Sequence, residues 1–173
     1  MEAIENLLSR VSVRQFSDRV ITDEEVHAIL EAGMSGPTAT NARPWSFIVV
    51  RDPETMQKMA DANMKYAEPL RRAKMAILVC GDLERAFPAA PDFWVVDGSI
   101  AAQNMILAAH AMGIGSVWLG VWPVEQRVKN QAELFALPET QIPHSVIAFG
   151  YPLEPSTKEK LLYEADRVHF EKW

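Results

Sequence analysis

Two arginines and a serine occupy alternate positions near the start of the chain, in the stretch LLSRVSVRQF. In an extended conformation Arg10, Ser12 and Arg14 share one face, whereas in a helix only Arg10 and Arg14 align, four residues apart. In either case the two guanidinium groups converge. Guanidinium groups donate paired hydrogen bonds to phosphate or carboxylate oxygens, and a nearby hydroxyl adds a further donor. The spacing therefore predicts a local anion site, with a solvated edge strand as the equally weighted alternative.

Length and composition describe a single globular domain over residues 1–173. The chain is 49% apolar and 23% charged, which is typical of a folded protein with a sizeable core. A formal net charge of -6 argues against a general nucleic-acid binder. The only cysteine, Cys80, excludes an internal disulfide framework, and no signal peptide is recognisable, so we expect a cytoplasmic protein. Polar residues interrupt the longest apolar region, so we expect no membrane span.

Several familiar chemistries find no support in the sequence. It has no GxGxxG after a strand, no GxxxxGK[ST], no HExxH and no CxxC, and its four histidines lack metal-ligand spacing, so we expect no metal site. Cys80 lies in an apolar run, which favours a buried thiol over a nucleophile. Ser99, His110 and Asp97 could form a catalytic triad only on paper, because the serine lies in a helical pattern and not in a GxSxG elbow.

Apolar periodicity predicts alternating helices and strands. Thr22 and Glu25 form a capping box for a helix that ends at Gly33, and Asp52 with Pro53 begins another helix. The stretch AKMAILVCGD is typical of a buried strand. The whole order is helix, helix, strand, helix, strand, helix, strand, helix, strand.

Two segments carry more apolar surface than a monomer of this size needs. The predicted helix from Asp92 to Met112 is apolar on nearly every face, which favours burial on several sides and by a second subunit. The charged tail from Glu154 closes on Phe170 and Trp173, which can bury apolar surface on a neighbour. Five tryptophans indicate core packing, with a pocket for a planar ligand as the alternative.

Five stretches together resemble the FMN-dependent nitroreductase family, in the family's order and over essentially the whole chain. They are SRVSVRQF, SGPTATNARPWSFIVV, DGSIAAQNMILAAHAMGIGSVWLG, VIAFGYP and TKEKLLYEADRVHFEKW. The resemblance implies an α+β, three-layer fold with a central mixed β-sheet flanked by helices. It also implies an intertwined homodimer with two FMN sites at the subunit interface, in which the tail, about 154–173, embraces the partner.

The resemblance further implies which residues bind FMN. Arg10 and Ser12, with Val11 between them, match the positions that hold the phosphate. Lys158 and Lys160 match phosphate positions near the tail. A phosphate carries a charge of about -1.5 to -2, so several donors are expected around it.

Arg14 matches a basic position that faces the pyrimidine edge of the flavin. Reduced flavin is electron-rich at that edge, so a fixed cation there stabilises the product of hydride transfer and raises the flavin's reduction potential. We expect no catalytic side chain, because the flavin carries the chemistry.

Three further segments complete the expected site. The loop PTATN resembles the segment that reaches the flavin from the other subunit, through Pro37, Thr38, Ala39 and Asn41. The strand end formed by Leu119, Gly120 and Val121 resembles the backbone that approaches the flavin ring. Phe93 and Trp94 are the residues we expect in the wall of the substrate channel.

Two features depart from the family's pattern. Many members have glutamine where this chain has Arg43, so the role of this side chain is open. Larger members also place an asparagine and a lysine on the flavin before the middle strand, and MKYAEPLRR has no clear match to them. Arg71 and Arg72 are alternative substitutes, between which the sequence does not choose.

The function implied by the resemblance is reduction of nitroaromatics, quinones or similar acceptors by NAD(P)H, in a two-step exchange through bound FMN. A flavin-binding module without turnover is the first alternative. A specialised relative, such as a reductive dehalogenase or a flavin-fragmenting enzyme, is the second.

Overall fold

Four antiparallel strands form the sheet at the centre of the fold. The structure is a computed structural model that describes residues 1–154 and 163–173. The strands lie in the order β1-β2-β4-β3 and are listed here in chain order: β1 (Trp45–Val50), β2 (Met75–Asp82), β3 (Gly115–Gly120) and β4 (Gln141–Gly150). Helices pack on both faces of the sheet, so the expected α+β, three-layer fold is confirmed.

The sheet is antiparallel in all three of its ladders, where a mixed sheet was expected. Val50 at the end of β1 pairs with Ala76 near the start of β2, because the helices between these strands return the chain to the same end of the sheet. In the described residues, parallel pairing is limited to an isolated bridge between Ser12 and Ser116.

Most of the predicted helices form with the predicted caps. Thr22 accepts a hydrogen bond from the Glu25 N–H while Glu25 accepts one from the Thr22 N–H, and Asp52 caps its helix through Thr55. The α-helices are α1 (Ala3–Ser9), α2 (Asp23–Met34), α3 (Pro53–Ala62), α4 (Glu68–Arg72), α5 (Phe93–Ala111) and α6 (Glu125–Leu134). Short 3-10 turns cover Ala39–Asn41 and Ala165–Arg167.

Alternate side chains of β2 enter two separate apolar clusters. Ala76, Leu78 and Cys80 pack with α3, α4 and α6 on one face, whereas the odd-numbered positions from 75 to 79 pack with α2 and α5 on the other. A strand buried on both faces reads as a continuous apolar run, which is why AKMAILVCGD was recognisable. In the described residues, no helix combines the length and apolar character that crossing a membrane requires.

Gly81 lies directly beneath the indole of Trp94 at the end of β2. A Cβ atom at this position would overlap the Trp94 ring, whose side chain is itself buried. We therefore expect Gly81→Ala to lower the free energy of unfolding by about 1–3 kcal/mol, as overpacking does in a filled core. Urea denaturation monitored by tryptophan fluorescence measures this change.

Gly120 provides the matched control for this substitution. A Cβ atom there would have no neighbour within 4 Å. We expect Gly120→Ala to change the free energy of unfolding by less than about 0.5 kcal/mol. Equal stabilities of the two variants would contradict the packing argument.

Candidate active site

The segment that follows α1 is extended, which decides between the two conformations considered for Arg10, Ser12 and Arg14. The helix ends at Ser9, and the Val13 N–H donates to the Ser116 carbonyl at 2.9 Å. Val11 and Val13 line one surface cleft, whereas Arg14 lines another. Val13 and Arg14 therefore point to different sides of the segment, as a period of two predicts for neighbours, whereas Gln15 lines the same cleft as Arg14.

The guanidinium groups of this segment lack carboxylate partners in the described part of the chain. Arg10 has no side-chain hydrogen bond or ion pair there, and Arg14 donates only from Nη1 to the Ser12 carbonyl, at 3.4 Å. By contrast, Arg51 pairs with Asp23 at 2.5 Å. Two unpaired cations on an acidic chain are available to an anionic ligand.

Arg14 opens into a cleft of about 500 Å³, which we call the Arg14 cleft. This volume falls within the roughly 300–1,000 Å³ that small-molecule and cofactor sites occupy. Two cations and two aromatic rings stand around the opening, together with apolar and polar residues of β3, α4 and the N-terminal segment. The lining residues are Arg14, Gln15, Tyr66, Glu68, Pro69, Arg72, Val117, Trp118 and Leu119.

The structure gives Arg71 and Arg72 different surroundings. Arg71 donates to Asp61 at 2.5 Å and to Gln57 Oε1 at 2.9 Å, so its donors are committed to α3. Arg72 lines the Arg14 cleft and pairs with Glu68 Oε1 at 3.1 Å across an exposed helical turn. Exposed pairs of this kind are weak, at about 0.3–0.5 kcal/mol, so Arg72 is free to turn towards a ligand.

The strand end at Leu119, Gly120 and Val121 is only partly open to the Arg14 cleft. Leu119 lines the cleft, and the space over Gly120 would allow a flat ligand to approach the backbone closely. Val121 is fully buried, and its N–H donates to the His144 carbonyl at 3.3 Å. The Val121 N–H is therefore already paired within the chain, and Leu119 is the residue of this strand end that lines the cleft.

The loop residues Pro37, Thr38 and Ala39 line a second cleft, about 410 Å³ in volume, which we call the Asp97 cleft. Phe93 and Asp97 of α5 form part of its opposite wall. The two clefts share no lining residue within one chain. The N-terminal segment and the loop therefore border different clefts of one chain, and Asn41 is exposed.

The loop holds an unusual backbone conformation. Thr40, Asn41 and Arg43 have φ angles of 53°, 57° and 53°, in the left-handed region. For residues other than glycine this region costs roughly 1 kcal/mol or more at each position. The Thr38 hydroxyl accepts a hydrogen bond from the Arg43 N–H at 3.0 Å, and the Arg43 guanidinium lies 5.1 Å from the centre of the Trp45 ring. The backbone of Arg43 therefore contacts the loop through Thr38, and its side chain lies over Trp45 of β1.

Trp94 belongs to the core, which corrects its expected place in a channel wall. It is 4% exposed and packs edge-on against Trp122 and His144. Phe93, its neighbour, is half-exposed and lines the Asp97 cleft. Adjacent helical positions point about 100° apart, so α5 can bury Trp94 while Phe93 faces the cleft.

Ser99, His110 and Asp97 do not form a catalytic triad. Ser99 contacts His144, His110 contacts Ser9 at 2.8 Å, and Asp97 accepts from the Ala39 N–H at 3.1 Å. Burial raises the pKa of the Asp97 carboxyl, although the hydrogen bond from Ala39 lowers it.

Two further expectations concern Cys80 and the tail lysines. Cys80 is fully buried, and desolvation raises the pKa of its thiol to about 12, so the expected core thiol is confirmed. The expected phosphate ligands Lys158 and Lys160 lie outside the described residues. In the residues that are described, histidine, cysteine and carboxylate side chains form no cluster suited to a metal ion.

Sequence reasoning did not single out His144, Tyr66 or Trp118. The signal for His144 was weak, since a lone histidine in a strand pattern is usually structural. It is buried between Trp94 and Trp118, with Nε2 3.1 Å from the Val95 carbonyl and Nδ1 3.0 Å from the Ser145 hydroxyl. Burial lowers the pKa of His144, although the Val95 carbonyl opposes this shift.

A sequence profile of the Nitroreductase family matches residues 7–73 and 61–151. A protein from Methanothermobacter thermautotrophicus, named as an NADH dehydrogenase/NAD(P)H nitroreductase, is 45% identical over 100% of this chain and 88% of its own length. One of the same name from Archaeoglobus fulgidus is 45% identical over 99% of each chain.

Solved structures agree with this assignment. A nitroreductase from Desulfovibrio desulfuricans, in complex with FMN, matches with a TM-score of 0.82 and 32% identity over 98% of this chain and 96% of its own. The chain therefore belongs to the nitroreductase family, and the resemblance found in the sequence is confirmed.

The depressed pKa of His144 predicts a pH dependence of stability. Below the unfolded value near 6.5, the unfolded chain takes up a proton that the folded chain resists, so the free energy of unfolding falls as the pH is lowered from 7.5 to 5.5. We expect His144→Gln to show a smaller fall in urea denaturation at these two pH values. Exposed His27 is the control: His27→Gln should keep the wild-type fall, and an identical fall in all three proteins would contradict the prediction.

Proposed function

We propose that this protein binds FMN and reduces nitroaromatics, quinones or related acceptors with electrons from NAD(P)H, in a two-step (ping-pong) exchange. Membership of the family makes it an NAD(P)H-dependent flavin oxidoreductase. The observation that carries the assignment of the site is the Arg14 cleft, in which the unpaired Arg14, the weakly paired Arg72 and two aromatic rings surround a volume suited to a cofactor.

The residues present fit FMN. Arg10 and Ser12 supply donors for a phosphate, and the rings of Tyr66 and Trp118 suit the edge or face of a planar heterocycle. The open backbone at Gly120 leaves room for close approach of a ring. We propose Arg72 as a second cation beside Arg14, in the place of the family's missing lysine.

Bound FMN would supply the group that accepts and returns hydride. The protein contributes position and charge. Arg14 would stabilise negative charge at one edge of the ring, and the apolar wall formed by Val117 and Leu119 would exclude water from it. Phe93 in the Asp97 cleft is our candidate for the wall against which an acceptor stacks.

We also propose that the active form is a homodimer, in which the Arg14 cleft of one subunit and the loop from Pro37 to Asn41 of the other form one flavin site. Apolar side chains stand exposed on α1, on α5 and in the tail: Ile4, Leu7, Leu8, Phe93, Val96, Phe170 and Trp173. Exposed apolar surface of this extent is typical of an interface.

The single cysteine fits a reducing compartment, and we place the enzyme in the cytoplasm.

A flavin-binding module without turnover is the second candidate, and a specialised flavin enzyme ranks third. The module differs from the reductase in one measurable respect, namely whether nicotinamide nucleotides reduce the bound flavin.

The decisive experiment measures flavin content and electron transfer in purified protein. We expect bound FMN, anaerobic bleaching of its visible absorbance by NADH or NADPH without any acceptor, and recovery of absorbance when a nitroaromatic or quinone is added. Flavin that binds but is not reduced would favour the module. Protein that takes up no FMN and oxidises neither nucleotide would exclude the proposal.

Arg10 and Arg14 should have separable effects. We expect Arg10→Ala to weaken FMN binding by about 10- to 100-fold, because it removes a charge-assisted hydrogen bond to the phosphate. We expect Arg14→Ala to weaken binding less but to lower the flavin reduction potential by about 30 mV, equivalent to about 1.4 kcal/mol for a two-electron couple. Fluorescence titration and spectroelectrochemistry measure these quantities.

Arg85→Ala is the control for loss of a positive charge, since Arg85 is exposed, pairs with Asp82 and lines neither cleft. It should leave binding and potential unchanged. Equal losses of affinity in Arg10→Ala and Arg14→Ala, with unchanged potentials, would indicate instead that both residues bind one anion.

A further inference from the structure

Asp97 is a buried carboxylate whose hydrogen bonding is incomplete. It is 3% exposed, and Oδ1 accepts from the Ala39 N–H at 3.1 Å. Oδ2 is also buried and has no hydrogen-bond partner among the described residues. An orphaned carboxylate oxygen is costly in an apolar setting, so a side chain selected only for packing would have been apolar or smaller.

The bond from Ala39 to Asp97 joins two segments that are 58 residues apart in sequence. Ala39 begins the 3-10 turn of the loop, and the next residue, Thr40, adopts the left-handed conformation. The turn's own hydrogen bonds run from Asn41 to Thr38 and from Ala42 to Ala39, so they fix the turn but not its position on the protein. The Asp97 carboxylate supplies an external anchor on α5.

We infer that Asp97 is a positioning residue that fixes the loop from Pro37 to Asn41 in the conformation that contacts the flavin. This inference rests on the proposed function, because the flavin contact of the loop belongs to it. Asp97 would act through the Ala39 amide and would not touch the cofactor. The bond is local to the ring-binding loop, so Asp97 should affect affinity for the flavin ring and not for the phosphate.

The test compares FMN with riboflavin, which has the same ring and no phosphate. We expect Asp97→Ala to weaken binding of both flavins by the same factor, about tenfold, as loss of a positioned contact does. Arg10→Ala should weaken binding of FMN alone. Asp97→Asn keeps an oxygen acceptor for Ala39 and should restore both affinities to within about threefold of wild type.

Asp92→Ala is the matched control. Asp92 stands at the start of the same helix, is exposed, and makes no capping bond through its side chain. It should bind both flavins as the wild type does. An Asp97→Ala protein with unchanged affinities, or an Asp97→Asn protein as weak as Asp97→Ala, would overturn the inference.

Amide hydrogen exchange in the flavin-free protein tests the loop independently of binding. We expect Asp97→Ala to accelerate exchange at Ala39, Asn41 and Ala42, and Asp92→Ala to leave these rates unchanged. Unchanged rates in Asp97→Ala would overturn the role of the anchor even if flavin binds. A wild-type protein that binds neither flavin would overturn the proposed function and the flavin part of this inference, while the exchange rates would still decide whether Asp97 orders the loop.

Discussion

The burial of β2 on both faces is the constraint on which the rest of the structure depends. Its side chains divide between two apolar clusters, one beneath α3, α4 and α6 and the other beneath α2 and α5. Full burial of each large apolar side chain contributes about 1.5–3 kcal/mol, so this strand fixes both helical layers to the sheet. Within the sheet, β4 lies beside β2, and β3 lies at one edge. The N-terminal segment reaches that edge through Ser12 and Ser116, which brings Arg14 to the mouth of a cleft.

The residues with candidate chemistry lie outside this rigid frame and depend on a few polar contacts. Backbone hydrogen bonds hold the segment that carries Arg10 and Arg14: the Val13 N–H donates to the Ser116 carbonyl, and the Gln15 carbonyl accepts from the Leu153 N–H. The loop from Pro37 to Asn41 depends on Asp97 and on the Thr38 hydroxyl. Such segments can open locally at low cost while the core stays folded. In the two-step exchange that we propose, two different substrates use one cofactor in turn. Adjustable segments around a fixed sheet would allow this exchange.

One chain presents two clefts with different chemistry. The Arg14 cleft is cationic and aromatic, whereas the Asp97 cleft is mostly apolar and contains one buried acid. The exposed apolar residues of α1, α5 and the tail lie on the elements that would join two such chains. In the arrangement we propose, the Arg14 cleft of one subunit and the loop of the other enclose a single flavin. This arrangement accounts for two features that a monomer leaves unexplained, the nearly all-apolar α5 and the aromatic end of the tail.

The sequence by itself determined the elements and the family. Some signals depend only on residues that are close in sequence, and these can be read from the sequence alone. They include the capping residues Thr22 and Asp52, the continuous apolar run of β2 and the alternation of Arg10 with Ser12. Tertiary structure alone decided the antiparallel pairing, the burial of Trp94 beside exposed Phe93, the different surroundings of Arg71 and Arg72, and the contact of Asp97 with Ala39. Each of these depends on partners far away in sequence: Arg71 is committed because Asp61 and Gln57 lie beside it, and Asp97 meets a loop 58 residues earlier. Spacing along the chain carries no record of such contacts, because they arise only when separate elements pack together.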